Sequence, residues 1–192
     1  MGGIKDLRKK LKLATEMHDL LPIARRYFVI GAFDGALTIM GIILGAYAVG
    51  ELSDRLVIVA GMAAGVALAV SSAVGAYEAE RIESALQHKE IERAMLSSIE
   101  GTRKQTAKIG NIVSAFIHGI APLIASFIPL IPFFILPEIE AMTAAIIITL
   151  AFLFAMGAYL GSLLKEMILY TGLRFAAAGL ITAILVFLIG GE

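Results

Sequence analysis

The chain has no cysteine and no tryptophan, and only 17% of its 192 residues are charged. The lack of thiols excludes disulfides, thiolate metal sites, iron–sulfur clusters and thiol catalysis, so any metal has to be held by oxygen, imidazole or thioether. Net charge is missing as well, because 16 Lys and Arg offset 16 Asp and Glu. With no basic aromatic module either, nucleic acid is not an expected partner. What is left is apolar. Hydrophobic residues make up 59% of the chain and mean hydropathy is +0.88, whereas a soluble domain is roughly 45 to 50% apolar and about 25% charged. The natural solvent for this composition is a lipid bilayer.

Crossing about 30 Å of hydrocarbon takes roughly 20 helical residues, and five runs meet that length: Tyr27 to Gly50, Leu56 to Tyr77, Ile109 to Leu136, Ala141 to Leu164, and Gly172 to Gly190. Alternating strands of the barrel type are absent, so the fold class expected is all-α, a polytopic membrane protein with five transmembrane helices. The first run follows a charged segment and precedes four more spans, unlike a cleavable leader. Basic residues set the orientation. Seven lie at the N-terminus (Lys5, Arg8, Lys9, Lys10, Lys12, Arg25, Arg26), six between spans two and three (Arg81, Lys89, Arg93, Arg103, Lys104, Lys108), and two between spans four and five (Lys165, Arg174). The opposite side carries Arg55 alone, with Glu51, Asp54, Glu138, Glu140 and Glu192. Positive residues stay inside. The expected placement is therefore an integral protein of the cell membrane with a cytoplasmic N-terminus and an outside C-terminus.

Three regions follow. Residues 1–23 read as a cytoplasmic arm, amphipathic from Ile4 to Leu21 and suited to the anionic leaflet. Residues 24–190 form the five-helix membrane domain. Within it, residues 78–107 are a short cytoplasmic helical extension of the second span that turns at Gly101 and returns.

Polar residues within the apolar spans are the candidates for function. Asp34 sits about seven residues inside the first run, and a carboxylate at membrane depth costs at least about 2.5 to 3.5 kcal/mol, so it should face protein or water and mark a pathway. Asp34, Thr38, Gly41 and Gly45 share one helical stripe. His118 in the third span suits a satisfied core imidazole as well as a proton or metal role. Small-xxx-small pairs (Gly31 and Gly35, Gly41 and Gly45, Gly61 and Gly65, Gly157 and Gly161) suit close helix packing within a bundle or between subunits. Pro122, Pro129 and Pro132 remove backbone donors and bend the third span. On the extension, Glu80, Glu83, Gln87 and Glu90 recur on one face. Their basic neighbours fit a solvated, ion-paired helix, while the same carboxylates, joined by those of a second subunit, could collect a divalent cation. No nucleophile–base pair stands out, so enzyme activity is not expected.

Three stretches carry a resemblance: Phe33-Asp34-Gly35, then Ser126-Phe127-Ile128-Pro129-Leu130-Ile131-Pro132-Phe133-Phe134, then Gly157-Ala158-Tyr159-Leu160 with Gly172-Leu173-Arg174 and Gly179-Leu180. Together they resemble the vacuolar iron transporter family over about residues 24 to 190. The resemblance implies a homodimer that exports Fe²⁺ or Mn²⁺ from the cytosol in exchange for protons, with no tightly bound cofactor and with the metal ion as transported substrate. Asp34 matches the family's membrane metal-binding Asp, and Glu80, Glu83 and Glu90 are the candidates for cytoplasmic metal capture. The chain departs from the pattern at Ser71-Ser72, where relatives usually have Ser-Met, and at Gly75-Ala76-Tyr77. The alternative is a membrane scaffold that transports nothing, with Asp34 serving structure.

Overall fold

The computed structural model describes residues 20–95 and 102–190. The amphipathic arm and the turn at Gly101 lie outside the described residues, apart from the arm's last four positions, which already belong to the first helix. That helix, α1, spans Leu20–Ala48; α2 spans Asp54–Met95; α3 spans Thr102–Leu130 and runs into a 3-10 turn at Ile131–Phe134; α4 spans Glu138–Leu164 and α5 Ile168–Gly190. All five are long and apolar enough to cross a membrane. The protein is all-α, as its composition required.

The helix ends follow from local chemistry. At the start of α2, Ser53 Oγ accepts from the backbone N–H of Leu56 at 3.3 Å, satisfying one of the donors every helix N-terminus leaves open. Pro137, just before α4, suits the point where a new helix begins. Lys165 ends α4 in the left-handed conformation at φ 56°, its N–H bonded to the carbonyl of Gly161. The connection to α5 is thus three residues, and Arg174 stands inside the fifth helix rather than in a loop.

The second helix is one unbroken rod of 42 residues, about 63 Å at 1.5 Å per residue and roughly twice the hydrocarbon thickness. Its lower half is the extension expected from sequence. The end of the bundle carrying it is called the basic end below, and the opposite end the acidic end. Along α2, exposed Val59, Val66, Val70 and Val74 form an apolar outer surface of the kind that suits acyl chains.

Lipid is as apolar as a leucine side chain, so close backbone approach, rather than exclusion from water, holds membrane helices together. The α1–α3 contact shows this most clearly. A methyl placed on Gly31 would stand 2.8 Å from Cδ of Pro122, and one on Gly35 would run into the Pro122 carbonyl oxygen. Pro122 and Pro129 are fully buried, and Ser126 Oγ donates to the Pro122 carbonyl at 2.6 Å. Pro122 is therefore a packing piece set into the notch made by Gly31 and Gly35. Gly61 and Gly65 likewise face Leu130 and Ser126, and Gly157 and Gly161 face Thr171. A core of Ile39, Ile43, Val57, Leu130, Phe133, Ala141 and Ala145 fills the acidic half. A smaller cluster of Val29, Ala32, Ala125 and Met156 fills the basic half.

Candidate functional site

One side of α1 is left open by the chain itself. Ala32, Ala36, Ile39, Met40 and Ile43 are buried against the other helices, while Asp34 is exposed and Thr38, Gly41 and Gly45 are only partly covered. The glycines of this stripe meet nothing nearer than Val186, at 4.0 Å. Of the four small-residue pairs, this is the one the bundle does not tightly fill.

Asp34 stands ten positions past Ala24, where the apolar part of α1 begins. That is about 15 Å along the helix at 1.5 Å per residue. Asp34 forms no hydrogen bond or ion pair among the described residues. A cavity of about 770 Å³ opens beside it towards the basic end, with Phe33, Phe175 and Leu160 as apolar wall and Arg25, Arg26 and Arg174 around it. Three guanidinium groups make this approach unfavourable to a divalent cation by simple Coulomb repulsion. Arg174 was not among the candidate residues, and an arginine one to two turns inside the fifth helix is the signal that would have found it.

The extension's carboxylates are not equivalent. Glu80 turns towards α1, where its Oε1 accepts from the Tyr27 hydroxyl at 2.8 Å and lies 3.7 Å from Nη2 of Arg26, with only 16% of its side chain exposed. Arg26 also covers the Tyr27 ring, 5.1 Å from its centroid. Glu83 is exposed and accepts from Gln87 Nε2 at 2.9 Å; Glu90 is exposed. Arg81 pairs with Glu78 at 2.6 Å. Half-buried Ser84 donates to Asn111 of α3 at 3.2 Å, so the rod is tied sideways below the bundle. Among the described residues no three His, Asp or Glu side chains come together as a metal cluster. Asp34 is separated from Tyr27, the partner of Glu80, by two turns of α1.

Tyr27 also meets His118 of α3. His118 Nδ1 lies 3.0 Å from the Tyr27 backbone carbonyl, and the two rings stack at 4.8 Å with a 51° tilt. The Tyr27 hydroxyl and carbonyl thus join α1 to α2 and α3, a link no periodicity in the sequence announced.

Against known proteins, the model of the VIT family matches residues 25–109 and 87–191. An uncharacterized protein of Methanocaldococcus jannaschii, MJ0645, is 32% identical over 168 residues, covering 85% of this chain and 87% of the archaeal one.

Proposed function

The chain belongs to the VIT family, the vacuolar iron transporters, and on that premise we propose that it exports Fe²⁺ or Mn²⁺ from the cytosol in exchange for protons, as a homodimer with Asp34 as membrane ligand. Membership supports divalent metal transport through the membrane. The observation that carries the finer reading is Asp34 itself, an exposed carboxylate without a partner among the described residues, ten positions inside the apolar part of α1.

A single carboxylate leaves a divalent cation with an uncompensated charge in a low-dielectric layer. In an isologous pair each residue of the contact can meet its own equivalent, so a second copy seated on the open stripe would bring two Asp34 carboxylates to one cation and balance its charge. The lack of a complete ligand set among the described residues of one subunit and the loose packing at Gly41 and Gly45 both support that pairing. Coupling follows from competition, because a carboxylate must release its proton before it coordinates a metal, and protons from the other side can then displace the cation. The test is metal-by-metal uptake into proteoliposomes with an imposed pH gradient. Flux that ignores the gradient would remove the exchange step from the scheme.

Glu83 and Glu90, exposed on the extension, are proposed to collect metal, while Glu80 fastens the rod to α1. The double replacement of Glu83 and Glu90 by Gln should raise the apparent KM for metal with little change in maximal flux, and should leave stability within about 0.5 kcal/mol. Replacement of Glu80 should instead lower the melting temperature in detergent, since it removes the acceptor of a partly buried hydrogen bond. Equal effects at all three positions would contradict this division of roles.

Orientation is proposed from the basic residues, with the extension in the cytoplasm and the α1–α2 turn outside. Single cysteines at Ser53 and Ala85, in a chain without native cysteine, should react differently with an impermeant thiol reagent on intact cells. Ser53→Cys labels and Ala85→Cys does not; the reverse pattern inverts the topology and the direction of transport with it.

A further inference from the structure

A cavity of about 380 Å³ lies between α1, α2 and α3, lined by Tyr27, Ser71, Ser72 and His118 among its walls. It lies towards the basic end from Asp34, since Tyr27 precedes that residue by two turns. The imidazole is held in one orientation. A carbonyl oxygen only accepts, so in the neutral ring the Nδ1 that faces the Tyr27 carbonyl at 3.0 Å carries the proton. Nε2 is then left with a lone pair, the form in which imidazole binds metals. No described residue supplies a partner for Nε2. Nor is it sealed in, because Asp54 Oδ1 is the one buried, unpartnered side-chain atom among the described residues. The imidazole that carries this open nitrogen therefore lines a space large enough for a hydrated ion, since water takes about 30 Å³ per molecule.

A backbone carbonyl that holds one ring nitrogen is the arrangement by which metal-ligating histidines are oriented. The Ser72 hydroxyl adds an oxygen donor without a partner among the described residues, whereas the Ser71 hydroxyl is returned to the Leu68 carbonyl at 3.1 Å. Arg25 and Arg174 do not line this cavity, and Arg26, over the Tyr27 ring at its edge, has Glu80 3.7 Å away to offset its charge. Imidazole favours borderline cations such as Fe²⁺, Co²⁺, Ni²⁺ and Zn²⁺ over Mg²⁺, which prefers oxygen.

We propose that this cavity is a second cation site, in which His118 Nε2 takes a borderline divalent ion on its way to Asp34 while water and the Ser72 hydroxyl fill other positions. The inference rests on the transport reading for its purpose, yet its test does not need transport. The full-length protein carrying Asp34→Asn, which removes the membrane carboxylate, is titrated with Co²⁺ alone and, separately, with Mg²⁺ in detergent. His118→Asn is then added: the amide can still donate to the Tyr27 carbonyl but has no atom at the Nε2 position. Co²⁺ affinity should fall at least tenfold, with Mg²⁺ unchanged. Because that variant could lose its fold, histidine ¹⁵N spectra of the unaltered protein supply a second measurement, in which Co²⁺ should broaden the His118 Nε2 resonance first. Equal Co²⁺ affinity with and without His118, or an unperturbed His118 ring at saturating Co²⁺, overturns the site. The two readings also fail separately. Full flux in Asp34→Asn sinks the assigned membrane ligand and leaves His118 standing, whereas a transport-dead Asp34→Asn with a silent His118 ring sinks only the cavity.

Discussion

Asp34→Asn should abolish metal flux while leaving a folded, inserted protein. Asparagine preserves the size and can still hydrogen-bond, but it cannot ionise, so it loses the anionic ligand and the titrating group together. The structure sharpens the expected stability result. A structural carboxylate would be paired, and removing one partner of a buried ion pair costs about 3 to 5 kcal/mol. Asp34 has no such partner among the described residues, and substitutions away from specific interactions usually stay within about 0.5 kcal/mol. Melting temperature in detergent should therefore be unchanged or slightly raised, while proton-coupled Fe²⁺ and Mn²⁺ uptake falls to background. Asp34→Glu keeps the charge but displaces it, and should retain a measurable fraction of the flux. A stable Asp34→Asn protein transporting at the original rate would overturn the assignment.

The largest loss of stability is expected at Gly35. Its missing side chain is what lets α1 sit on the backbone of Pro122, and the first atom a side chain would meet is a carbonyl oxygen, which has no rotamer to escape into. Overpacking a core costs about 1 to 3 kcal/mol even where side chains can adjust, so Gly35→Val should sit at or above the top of that range. At about 2 to 4 °C per kcal/mol for a chain of this size, melting should drop by about 6 to 12 °C or more. Gly75→Ala is the matched control, since nothing lies within 4 Å of the methyl it adds. A melting temperature for Gly35→Val within a degree of the control would mean that the α1–α3 contact is looser than drawn.

The spans were legible because they depend on composition alone: twenty apolar residues in water have nowhere else to go, and the five helices fall where the runs do. The long second helix was legible for a related reason, as nothing between Glu78 and Met95 breaks it. Ends were less so. The helix of Arg174 begins at Ile168 because the left-handed turn at Lys165 compresses the connection to three residues, and hydropathy does not register a turn. The stripe of Asp34, Thr38, Gly41 and Gly45 could be drawn from spacing, but spacing does not tell an open face from a filled one. Only the packing shows that Gly31 and Gly35 are tightly filled by Pro122, while Gly41 and Gly45 meet Val186 only at 4.0 Å. The glutamates mark the limit of one-dimensional reading. Glu80, Glu83 and Glu90 look alike on a helical wheel, and what separates them is Tyr27, 53 positions away from Glu80 in sequence.

The unbroken length of α2 has a mechanical consequence. Its glycine notch at Gly61 and Gly65 bears on α3 near the acidic end, and the rod continues from Gly61 for another 34 residues to Met95, about 51 Å at 1.5 Å per residue. A rod pivoting at one end acts as a lever: a tilt of about 5° at the notch sweeps the far tip through roughly 4 Å, almost a full helical turn in rise. The ties from Glu80 to Tyr27 and from Ser84 to Asn111 are placed part-way along that arm, where they oppose the swing. Whatever loosens them would be felt as displacement at the tip and as rotation at the membrane end.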